Sequence, residues 1–79
     1  MSYGYTLRLA ELNKRADSRK FIGVRLGRLC ISKGVPVAEV AHTLKVSRQT
    51  IYNWFVGDSS PLPIYEKRIK KLADKIKLR

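Results

Sequence analysis

The chain is short of the residues that make covalent or metal-held scaffolds. It has 1 cysteine, Cys30, and 1 histidine, His42, in 79 residues. A lone cysteine closes no internal disulfide and cannot supply a cysteine-rich zinc site, so a reducing, cytoplasmic setting is expected. Carboxylates are scarce as well, with 6 Asp and Glu in total. No nucleophile–base pair, metal-ligand spacing or phosphate-cradling glycine loop can be assembled from what remains, so the expectation is a protein without catalytic residues, metal or cofactor, and not an enzyme. Apolar runs fall far short of the roughly 20 residues that span a bilayer, no signal-type apolar stretch follows Met1, and Ser2 stands where myristoylation requires glycine. The expected protein is therefore soluble and intracellular, with no membrane partner. At this length it forms one domain, 1–79, with a modest core and little room for a catalytic cleft.

Positive charge is abundant. Lys and Arg number 17, giving a formal net charge of +11. So much charge of one sign repels itself within a small body, and a polyanionic partner relieves that repulsion. A strongly basic domain is the electrostatic footprint of nucleic-acid binding, against the plainer reading of a solubilising surface.

Breaks fall at "ADS" (16–18), "KGVP" (33–36), "LKVS" (44–47) and "GDSSPLP" (57–63), and the segments between them carry apolar residues at helical spacing. The first segment supports two readings. Tyr3, Tyr5, Leu7 and Leu9 alternate as in a strand, whereas Leu9, Leu12 and Ala16 fit a helix from about Leu7 to Arg15 with Thr6 as its cap; the helix is preferred. Ser18 is placed to cap a second helix with the stripe Ile22, Leu26, Leu29 and Cys30, a second edge of Phe21, Val24 and Ile31, and Gly34 as terminator. Pro36 opens a short helix carrying Val37, Val40, Ala41 and Leu44. Tyr65, Ile69, Leu72 and Ile76 trace a final amphipathic helix over about 63–77. The fold class is all-α, a compact bundle of four to five short helices.

Within 37–56 two helices are expected around a tight turn, with Val40, Leu44, Val46, Ile51 and Trp54 as a shared seam and Ser47 as N-cap of the second. At about 100° per residue, Ile51, Trp54 and Phe55 share one side of that second helix. Gln49, Tyr52, Asn53 and Val56 fall opposite, flanked by Arg48 and Thr50.

The stretches "VRLGRLCISKG" and "VAEVAHTLKVSRQTIYNWFVG", followed by "SSP", resemble the helix-turn-helix of phage Cro and repressor DNA-binding domains, over roughly 19–61. Ala41, Lys45, Val46, Ser47, Ile51 and Trp54 fill that family's alanine, turn, "VS" and inner apolar places. Two places differ: Lys45 stands where glycine is usual at the turn, and Pro36 and Val37 replace the polar residue that usually begins the first helix of the motif. The resemblance implies a lambda-repressor-like fold and a repressor-type transcription regulator, associated with the nucleoid of a prokaryotic or phage-infected cell. It further implies a homodimer on a palindromic operator, with double-stranded DNA as partner and the helix 47–56 in the major groove. On that geometry Arg48, Gln49, Tyr52 and Asn53 read bases. Arginine can donate twice to guanine or hold a phosphate, and Gln and Asn can each both donate to and accept from adenine. Lys45, Ser47 and Thr50 contact phosphate.

Quieter readings stand beside these. Exposed polar helix residues and lysine runs are ordinarily just solvated. His42 reads as an exposed helix residue, and Cys30, Trp54 and Phe55 as core. Two other functions fit the charge or the motif: sequence-tolerant DNA coating, or a helix-turn-helix module docking on a host transcription protein.

Overall fold

The computed structural model describes residues 7–17 and 21–79. Among the described residues five α-helices follow one another: α1 (Leu7–Arg15), α2 (Ile22–Lys33), α3 (Val37–Leu44), α4 (Arg48–Val56) and α5 (Pro63–Lys77). There is no strand among the described residues, so the first segment is helical from Leu7, as its Leu9–Ala16 spacing favours. Its suggested Thr6 cap, and Tyr3 and Tyr5, lie outside the described residues. The radius of gyration, 11.0 Å, is close to the roughly 12 Å of a compact domain of this size. No described helix is long and apolar enough to cross a membrane.

α2 is the central element and packs against α1, α4 and α5, while α3 leans on α4 and α5. One cluster fills the interior: Leu26 and Cys30 from α2, Val37, Val40, Ala41 and Leu44 from α3, Ile51, Trp54 and Phe55 from α4, and Ile69, Leu72 and Ile76 from α5. The stripes anticipated for α2, α3 and α5 are the faces that meet there.

Helix ends account for the chain reversals. α2, α3 and α4 each stop on a residue with left-handed backbone: Gly34 (φ 69°), Lys45 (φ 59°) and Gly57 (φ 83°). At each end two amides reach back. Val35 N–H donates to Cys30 O (2.9 Å), Val46 N–H to Ala41 O (3.1 Å) and Asp58 N–H to Asn53 O (2.9 Å), beside the 3.3 Å bonds of the Gly34, Lys45 and Gly57 amides to Ile31 O, His42 O and Trp54 O. This pairing satisfies carbonyls that the helix itself leaves open. Glycine takes that backbone without penalty, whereas a lysine there costs on the order of 1 kcal/mol.

Two boundaries differ from the sequence reading. α2 begins at Ile22 with Phe21 in the extended cap position and no side-chain cap bond; Ser18, the expected cap, lies outside the described residues. Pro36 is the capping residue of α3, one place before its first turn, and its carbonyl accepts from the amides of Glu39 and Val40. In α1, Leu12 is exposed and the one fully buried residue is Asn13.

Candidate nucleic-acid interface

Three residues, Lys45, Val46 and Ser47, join α3 to α4. Lys45 is exposed and Val46 half-buried against the core. Ser47 caps α4 as expected: its Oγ accepts from the Thr50 amide at 3.2 Å and lies 2.9 Å from Thr50 Oγ1. Of the two hydroxyl protons, one bridges the pair and the other is left to donate outward. The cap also starts α4 at Arg48, which leaves the first amides of the helix without an intrahelical acceptor.

α4 has two unlike faces. Ile51, Trp54 and Phe55 are buried at 0%, 4% and 0% exposure, while Arg48 and Gln49 are exposed and Tyr52, Asn53 and Val56 half-buried. One turn apart, Gln49 Nε2 donates to Asn53 Oδ1 at 3.1 Å. That bond orients both amides. Gln49 keeps its carbonyl oxygen and a second N–H, and Asn53 its own N–H pair, for a ligand. Tyr52 is the least available of the four base-reading candidates, because its ring packs partly against the core cluster. Thr50 is half-buried and already engaged with Ser47.

Behind this face, α4 is held by contacts the sequence does not advertise. A Cβ on Gly23 would lie 2.8 Å from Trp54 Cβ, and one on Gly27 would lie 2.6 Å from Phe55 Cγ, so α2 and α4 touch where α2 has no side chains. Asn13 is 2% exposed. Its Nδ2 donates to Val24 O at 3.0 Å and to Phe55 O at 2.6 Å, tying α1 to both helices at once. Arg28 Nη2 in turn donates to the carbonyls of Asn13, Lys14 and Ala16, closing the C-terminal end of α1. On the far side, the Trp54 and Tyr65 rings are tilted against one another with centroids 5.4 Å apart, which fixes α5 to α4. The i, i+4 glycine pair of α2 is the one signal by which this close approach could have been anticipated.

The remaining singled-out residues have structural roles or none. His42 is exposed. Cys30 is fully buried, and burial pushes its thiol up to about 12, so it is inert as a nucleophile near neutral pH. Lys67, Lys70, Lys71 and Lys75 are exposed along α5, and Arg79 pairs with Glu39 at the start of α3.

No protein-family model, curated protein or solved structure matches this chain.

Proposed function

We propose that the protein is a sequence-specific, double-stranded DNA-binding regulator of the Cro/repressor type, reading an operator with α4 and its cap, 47–56, in the major groove. The observation that carries this reading is the bonded Gln49–Asn53 pair on the exposed face of a helix whose other face is sealed in the core. Planar amides fixed in position present a donor–acceptor pattern, which is how base edges are told apart in the major groove. Arg48 and Lys45 stand exposed beside the pair and supply positive charge at the N-terminal end of the helix. The Ser47 and Thr50 hydroxyls and the open first-turn amides suit a phosphate oxygen. Repression follows from occupancy of the operator, and a homodimer matches a palindromic site.

The test is selection of bound duplexes from a random DNA pool at near-physiological salt, followed by sequencing. An enriched inverted repeat with half-sites about 10 base pairs apart is expected. DNA retained without any motif would replace this reading with a charge-driven coating protein. That is the second reading supported by an observation of its own, the +11 charge and the exposed lysines of α5. No retained DNA would leave docking on a host transcription protein as the function.

The Gln49–Asn53 bond makes a sharper prediction on the selected site. Gln49→Ala and Asn53→Ala should each lower affinity by about 1–3 kcal/mol, and the double substitution should lose clearly less than the sum of the two. Additive losses in a double-mutant cycle would show that the two side chains read independently.

A further inference from the structure

α2 and α5 leave a groove of about 430 Å³ between them. Ile22, Leu26 and Leu29 of α2 and Ile69 and Ala73 of α5 form its apolar floor. Leu26 and Ile69 are buried, but Ile22, Leu29 and Ala73 are only half covered and present aliphatic surface at the opening. The edges are cationic. Arg25 and Arg28 stand on the α2 side and Lys70 and Lys77 on the α5 side, against the single carboxylate of Asp74. Arg28 is held by the α1 carbonyls, whereas Arg25, Lys70 and Lys77 are exposed and in no ion pair among the described residues.

These features select an occupant. The groove lining runs along α2 from Ile22 to Ser32, a length of about 15 Å at the helical rise, or about three helical turns. An open groove walled by two helices accepts the apolar stripe of a third, read as anchors spaced i, i+4 and i+7. The rim asks for negative charge on the flanks of that stripe. A second copy of this chain is a poor match, because it would bring further cations of a +11 molecule onto a cationic rim. A DNA phosphate backbone would meet the rim but has nothing apolar to cover Ile22, Leu29 and Ala73.

We propose that the α2–α5 groove is a docking site for an acidic amphipathic helix of a partner protein, its aliphatic stripe on the Ile22–Leu29–Ala73 floor and its carboxylates on Arg25, Lys70 and Lys77. None of the groove residues comes from α3 or α4, so this inference does not rest on the DNA reading of α4.

The experiment is a titration of the isotope-labelled full chain with a synthetic, end-blocked helical peptide of about three turns. The peptide carries leucines at i, i+4 and i+7 and glutamates on the flanks, and amide and methyl resonances are followed. Saturable shifts are expected at Ile22, Leu29, Ile69 and Ala73, with those of Gln49 and Asn53 unmoved. The same peptide with lysine for glutamate should bind at least about tenfold more weakly. So should the glutamate peptide to a chain carrying Arg25→Glu and Lys70→Glu, two exposed positions whose amide spectrum verifies the fold. Absence of saturable shifts, shifts centred on α4, or equal binding of the lysine peptide would each overturn the proposal. Displacement of the peptide by duplex DNA at the same resonances would assign the rim to phosphate instead. Concentration-dependent self-association through the groove residues would assign it to a second copy.

Discussion

Lys45 is a residue whose backbone and side chain serve different ends. Its φ of 59° is strained for an L-residue, and its exposed ammonium stands beside the start of α4. Lys45→Gly should relieve the strain and, after the greater freedom of glycine in the unfolded chain is set against it, stabilise the protein by up to about 1 kcal/mol. On the proposed operator the same change should weaken binding at all sequences and lower the slope of log affinity against log salt by about one. Denaturant unfolding and a salt series check the two halves separately. A loss of stability would mean that the lysine side chain contributes more to the fold than its backbone costs. This conformation was expected from the resemblance, which puts Lys45 at the turn place usually filled by glycine, two residues before the Ser47 cap. The burial of Asn13 was not. A polar residue beside Leu12 in a helical stripe reads as solvated, and its two acceptors lie 11 and 42 positions along the chain.

At the scale of elements, the contact between α2 and α4 decides how α4 is presented. Gly27→Ala would place a methyl carbon 2.6 Å from Phe55 Cγ and 2.8 Å from Asn13 Nδ2. Alanine is the better helix former by about 1 kcal/mol, but forcing a methyl into so closed a contact costs typically 1–3 kcal/mol and displaces a bonded amide as well. The clash should therefore win, and the midpoint of thermal unfolding should fall by several degrees. An unchanged or raised midpoint would show that α2 and α4 can part without loss. The helices themselves were readable to different degrees. α5 spans Pro63–Lys77 as its Tyr65–Ile76 stripe and leading proline announce. The start of α2 was placed too early, since Ser18 is a better cap by residue type than Phe21, yet the helix begins after Phe21. Glycines 23 and 27 carry no hydrophobic signal, so a reading built on apolar periodicity passes over the surface they create.

For the whole molecule, charge and burial pull in different directions as conditions change. Added salt screens the self-repulsion of a +11 chain and should raise its stability while lowering any affinity for DNA. Alkaline pH acts through Cys30. Burial pushes its thiol up from 9.0 to about 12, with Arg79 opposing the shift and Glu39 adding to it. A folded value above the unfolded one means the contribution of the neutral thiol is complete below pH 9 and is lost as pH climbs from there toward 12. Between pH 7 and 10 the native chain should therefore lose on the order of 1 kcal/mol more than a Cys30→Ala variant, measured by denaturant unfolding of both. Equal losses would mean that the thiol titrates in the folded protein as it does in water. Composition and apolar spacing carried the all-α class and the core; the α2–α5 groove was hidden, because Arg25, Lys70 and Lys77 become one rim only once two distant helices lie side by side.

The buried amide of Asn13 also limits how this sequence can diverge. Val24 O and Phe55 O both accept from its Nδ2, and a Cβ at Gly27 would lie 2.8 Å from that nitrogen. Aspartate offers only acceptors, glutamine is longer by a methylene, and leucine withdraws the amide that Val24 O and Phe55 O share. Among descendants of this chain, exposed positions such as Leu7 and Leu78 are free to drift. Residues 13 and 27 can change only together, and only if the end of α4 finds another anchor. On the proposed reading of α4, a lineage that altered its recognition would thus be expected to rewrite Arg48, Gln49 and Asn53 many times over before it touched the asparagine that anchors the helix from α1.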